Sequence, residues 1–158
     1  MTHNVDARHN AEASQKAPQM DQHTEPARQR WGMMPLRVVV GLVFLMHGGQ
    51  KLFVFGLGGT ADIMGKLGLP LPWLAAGIVI ATELLGGLAI LSGLYARWAG
   101  AALAFEMVVA ILVARVRGGF FAPYGFEFEL TLLGACLTFA ALGSGGVSLE
   151  RMLRAPRQ

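Results

Sequence analysis

The stretch LPWLAAGIVIATELLGGLAILSGLY, residues 71–95, decides the fold, because Glu83 is the one charged residue in a long, predominantly apolar run. A helix rises about 1.5 Å per residue, so roughly 20 such residues cross the hydrocarbon core of a bilayer. Three more runs of the same character accompany it: LRVVVGLVFLMHGGQKLFVF (36–55), RWAGAALAFEMVVAILVARV (97–116) and the shorter FELTLLGACLTFAAL (128–142). None alternates apolar and polar residues with a period of two. In lipid every backbone N–H and C=O needs an internal partner, which leaves helices or closed barrels, and four segments are too few to close a barrel. The expected fold is all-α, a four-helix transmembrane bundle.

Composition agrees. Of 158 residues, 54% are apolar and only 15% charged, against about a quarter charged in a soluble domain. The net charge of +3 would suit nucleic acid, but the Arg and Lys sit at the edges of the apolar runs. That placement is membrane flanking, and no nucleic-acid role is expected. Cys136 is the single cysteine, which excludes an intrachain disulfide, a CxxC redox pair and a thiolate metal cage. Inside an apolar run it reads as a small buried core residue, since burial disfavours the reactive thiolate.

Residues 1–30 are polar and aperiodic, with His3, His9 and His23 in no metal-ligand spacing. With no apolar h-region they form no signal peptide, and they are expected to be a disordered cytoplasmic tail. The transmembrane domain is expected over 31–154, with a flexible end at 155–158. Between the first two spans, Thr60 or Asp62 would cap a short interfacial helix whose face carries Ile63, Met64 and Leu67. After the fourth span, Ser148 would cap a second one, its Arg151 and Arg154 meeting anionic headgroups.

With the N-terminus inside, the cytoplasmic flanks carry Arg28, Arg30, Arg37, Arg97, Arg151, Arg154 and Arg157, and the outer flanks Lys51, Lys66, Arg115 and Arg117. The excess favours both termini in the cytoplasm of a cell's inner membrane. Trp31, Trp73, Tyr95, Trp98 and Tyr124 all fall at expected span ends, where amphipathic rings settle.

Ionisable groups within a span cost several kcal/mol, about 2.5 to 3.5 each on the mildest scales, and so need a reason. Glu83 lies near the centre of the second span and Glu106 near the centre of the third. His47 lies in the outer half of the first, with Lys51 one turn beyond it. Arg37 opens the first span and Glu129 the fourth. Gly86 and Gly87 follow Glu83, while Ala102 and Ala110 flank Glu106. Small residues let helices close together, which turns both glutamates toward the bundle interior. Two facing carboxyls call for a shared proton or for His47 or Lys51 as counter-charge. The candidate site is therefore a polar binding or proton-exchange pocket of His47, Lys51, Glu83, Glu106, Arg37 and Glu129. The bland alternative is that these groups only hydrogen-bond the helices together, at about 0.6 kcal/mol per contact.

One intramembrane histidine cannot hold a bis-histidine haem, one cysteine cannot hold an iron–sulfur cluster, and neither GxGxxG nor GxxxxGK[ST] occurs. No metal, covalent or motif-bound cofactor is expected. Any redox role would involve a diffusible carrier such as quinone, or a partner protein holding the cofactor.

The segments RVVVGLVFLMHGGQK (37–51), ELLGGLAILSGLYAR (83–97) and GSGGVSLE (143–150) together resemble the signature stretches of the DoxX family, with Glu150 where Asp is more usual. The resemblance runs over about residues 35–153. It implies a four-helix inner-membrane protein. The family is named through similarity to small subunits of thiosulfate:quinone oxidoreductases, and some members are linked to membrane oxidoreductase complexes against oxidative stress. Arg37, His47, Lys51 and Glu83 match the family pattern, whereas Glu106 and Glu129 stand on the residue reading alone.

Three functions follow as expectations. The first is a membrane subunit of a quinone- or thiol-linked redox complex, catalytic only as part of an oxidoreductase assembly with a soluble or membrane redox partner. The second is a permeation unit for protons or a small molecule. The third is a noncatalytic anchor in the lipid bilayer for a soluble protein.

Overall fold

The computed structural model describes residues 25–145, with side chains from residue 31 onward. The expected tail before residue 25, the second interfacial helix at Ser148 and the chain end lie outside the described residues. Among the described residues all regular structure is helical.

Helix α1 spans Glu25–Gly49 and passes through Pro35 without ending. It therefore begins well before the expected start at residue 36, and Pro26 sits in its first turn, where a missing N–H costs nothing. From Gln50 to Phe55 the winding loosens to a π-helix, ended by Gly56 at φ 68°. Wider winding takes carbonyls out of the usual ladder, and the Thr60 hydroxyl donates to one of them, that of Lys51, at 3.1 Å. Helix α2 covers Gly56–Lys66. Thr60 and Asp62 thus lie within it rather than capping it. Its packed face is Thr60, Ala61 and Met64, while Ile63 is exposed. That face docks on Ala76 near the start of α3.

Helix α3 covers Pro72–Ser92. It stops short of the expected Tyr95 because Gly93 adopts a left-handed conformation, φ 72°, the usual glycine stop. Helix α4, Ala96–Ala110, continues through π turns at Ile111–Arg115 and a tight turn to Gly118. Helix α5, Glu127–Leu142, has 16 residues. Among the described residues, three helical runs are long and apolar enough to cross a membrane: Trp31–Lys66, Pro72–Ser92 and Ala96–Gly118.

Glycines set the helix spacing. A Cβ on Gly87 would lie 3.0 Å from the Gly41 carbonyl oxygen, so α1 and α3 touch backbone to backbone. A Cβ on Gly100 would lie 2.7 Å from Ala140 N and 2.8 Å from Cys136 O, which brings α4 equally close to α5. These contacts make neighbouring helices antiparallel. The core between them contains Phe44, Ile90, Leu103, Met107, Cys136 and Phe139.

The distribution of polarity is inverted relative to a water-soluble protein. Phe53, Phe105, Leu85 and Leu112 are exposed, whereas Arg37, Glu83 and Glu129 are buried. Such a surface is stable only in an apolar solvent. Trp31, Trp73, Tyr95, Trp98 and Tyr124 are all exposed near helix ends, as interfacial aromatics should be. The chain is a membrane protein.

Candidate functional site

Lys51, Glu83 and Glu106 come together, from three different segments. Gly48 on α1 packs on Glu83, where an added Cβ would meet the Glu83 Cβ at 3.0 Å. That close approach sets the following π turn beside α3, and Lys51 Nζ donates to Glu83 Oε2 at 2.5 Å. Glu83 lies on the buried stripe of α3 with Ala76, Ile80, Gly86, Gly87 and Ile90, so its carboxyl has no route to water along its own helix. Glu106 on α4 lies beside Glu83 and in the field of Lys51. Its Oε2 is buried with no hydrogen-bond partner among the described residues. Cys136 on α5 is within electrostatic reach of Glu106 and fully buried, as its place in an apolar run suggested.

The remaining expected members sit elsewhere. His47 is exposed, and its ring lies 5.9 Å from that of Phe128 on α5. It also lines a groove of about 560 Å³ on the outer face of α1, with Leu45, Met46, Gln50, Phe53 and Val54. The groove lies alongside the π turns, and its polar side chains are those of His47 and Gln50. Glu129 accepts from Arg115 Nε at 2.8 Å and keeps its second oxygen buried without a partner among the described residues.

Arg37 is not part of this cluster. Its Nε donates to Ile90 O at 3.0 Å, Nη2 to Leu91 O at 2.8 Å and Nη1 to Ser144 O at 3.2 Å. It ties the last carbonyls of α3 to the chain leaving α5, with the favourable sign for a helix C-terminus. Fourteen residues along α1 separate it from Lys51, about 21 Å of helical rise. Arg37→Met is therefore expected to cost about 1.5–3 kcal/mol, read as a lowered unfolding midpoint in mild detergent. Ligand binding at the far end of the bundle should not change. A midpoint equal to wild type would remove the stapling role.

Residue-type reasoning missed Arg115 and Thr60 as partners. Arg115 had counted only as a flanking charge, although a cation one turn inside a helix end can reach back into the bundle as easily as out of it. Thr60 reads from sequence as a helix cap, whereas its hydroxyl serves the π turns by donating to Lys51 O.

The DoxX family matches residues 32–116 of the chain. The chain is 32% identical over 119 residues to the "Putative oxidoreductase CatD" of Bacillus subtilis (strain 168), covering 75% of this chain and 84% of that protein. It is 29% identical over 121 residues to the inner membrane protein YphA of Escherichia coli (strain K12), covering 73% and 85%. It is also 31% identical over 129 residues to the uncharacterized membrane protein Rv3486 of Mycobacterium tuberculosis (strain ATCC 25618 / H37Rv), covering 75% and 78%. No solved structure matches.

Proposed function

The chain belongs to the DoxX family, and from that premise we propose that it is the membrane subunit of a quinone-linked redox system, with Lys51, Glu83 and Glu106 as its proton-exchange site. The observation that carries this reading is the cluster itself: one ammonium at 2.5 Å from one carboxylate, with a second carboxyl beside it. A single cation balances one negative charge, so the second carboxyl is left to take up and release a proton. Reduction of a quinone consumes protons together with electrons, and a group inside the bundle can deliver them without opening the membrane to water. The electrons would come from a partner protein.

The groove beside His47 suits a lipophilic ring. Leu45, Met46, Phe53 and Val54 match a hydrocarbon tail, and His47 and Gln50 can donate to ring carbonyl oxygens. Lys51 follows His47 by four residues, one turn away toward the buried cluster. A relative bearing the word oxidoreductase in its name supports the same class of chemistry. In this reading α5 is the fourth crossing, closely held to α4 at Gly100, and the Arg37 end with both termini faces the cytoplasm.

The test uses the full chain in lipid nanodiscs with a water-soluble short-chain ubiquinone analogue. Binding is expected at micromolar concentration, and Glu83→Gln should weaken it about tenfold, a loss of about 1.4 kcal/mol. No binding by the wild type, or equal binding by both proteins, would remove the proposal.

A further inference from the structure

Two carboxyl oxygens, Glu106 Oε2 on α4 and Glu129 Oε2 on α5, are buried without a hydrogen-bond partner among the described residues. In an apolar interior such a group demands a proton or a water. The two helices are antiparallel and touch where Gly100 meets Cys136 and Ala140. Six residues beyond Gly100 along α4 is Glu106, level with about Leu132 on α5. Glu129 lies one turn further toward the α4–α5 loop, roughly 5 Å of rise. Glu129, Leu132, Cys136 and Phe139 form one buried stripe of α5, and its apolar members share a core with Leu103 and Met107 of α4. Glu129 therefore occupies the same inward face as the cluster, nearer the loop.

Its other oxygen looks the opposite way. Glu129 is only 8% exposed, yet its Oε1 accepts from Arg115, whose side chain is 41% exposed. Arg115 Nη1 also donates to Pro123 O at 3.4 Å in the loop. The neighbouring Glu127 is engaged separately, accepting from Ala122 N at 2.9 Å. One carboxylate thus spans from a solvent-facing guanidinium to the buried interior.

We propose that Glu129, paired with Arg115, is the port through which protons pass between water at the α4–α5 loop and the Lys51–Glu83–Glu106 cluster, whose proton-exchange role it presupposes. A proton from bulk water adds to the Glu129 carboxylate and loosens its ion pair with Arg115. The proton is then handed, directly or over one bridging water, to the Glu106 carboxylate. Glu129 is left negative and pairs again with Arg115.

The experiment follows hydrogen–deuterium exchange of the Glu106 carboxylic acid C=O stretch by infrared spectroscopy, on the full chain in nanodiscs and without quinone. Glu106→Gln assigns the band. Glu129→Gln is expected to slow its exchange by at least about tenfold, the low end of what a positioned proton donor contributes. Glu129→Asp should keep most of the wild-type rate. Arg115→Gln removes the restraint and should speed exchange, which keeps the proposal testable if Glu129→Gln does not fold. Wild-type exchange in Glu129→Gln, unaltered exchange in Arg115→Gln, or no band lost in Glu106→Gln would each overturn the port. Quinone binding that depends on Glu83 beside unaltered exchange in Glu129→Gln would reject the port alone. Glu129-dependent exchange in a protein that binds no quinone would reject the redox role alone.

Discussion

Replacing both Glu83 and Glu106 with leucine is expected to destabilise the protein by about 1.5–3 kcal/mol, the cost of leaving the half-buried Lys51 ammonium without its carboxylates. Lys51 has its charge-assisted hydrogen bond to Glu83 and the field of Glu106 as its acidic partners. Glu83→Leu alone should cost less, because Lys51 can turn to Glu106. Adding Lys51→Met to the double variant should restore most of the loss, since a well-packed apolar replacement of an ion pair is often neutral or stabilising. The measurement is the unfolding midpoint in mild detergent for the four proteins of this cycle. A double variant as stable as wild type would mean that water alone satisfies the Lys51 ammonium, and the carboxylates would lose their standing as its partners.

Gly100→Val is expected to destabilise the bundle by about 3 kcal/mol. Its first side-chain atom would lie 2.7 Å from Ala140 N and 2.8 Å from Cys136 O. Both are backbone atoms of a helix, which cannot yield as a side-chain tip can. Helices α4 and α5 must then separate, and Glu106 and Glu129 with them, so loss of stability should be accompanied by faster exchange of the buried carboxyl. Gly134→Ala is the matched control, since nothing lies within 4 Å of its added Cβ. Helix propensity predicts a change of up to about 1 kcal/mol in the stabilising direction there. Equal behaviour of the two variants would show that the α4–α5 contact is looser than its backbone distances imply.

The class of fold was legible because it depends on local quantities. Run length, low charge and glycines flanking Glu83 place apolar helices in lipid and turn the carboxylate inward, whatever the neighbours are. Part of the site was legible for the same reason. Glu83 and Glu106 are costly at mid-span, and cost alone marks them for burial. Cys136 and the boundary aromatics followed equally from composition and position.

What the residues could not give was which costly group answers which. His47 and Lys51 are one turn apart and both were eligible as counter-charge, and the choice falls to Lys51 because Gly48 and the π turns bring it against α3. Arg37 looked like a member of the pocket because it opens the same helix, but antiparallel packing sets it against the C-terminal carbonyls of α3 at the opposite end. Arg115 became the partner of Glu129 through the return of the chain between α4 and α5. Sequence alone determined that charges would be buried in a helical membrane protein, since desolvation acts on each residue separately. Only the tertiary structure decided their pairing, because an ion pair depends on the distance between residues far apart in the chain, and helix packing sets that distance.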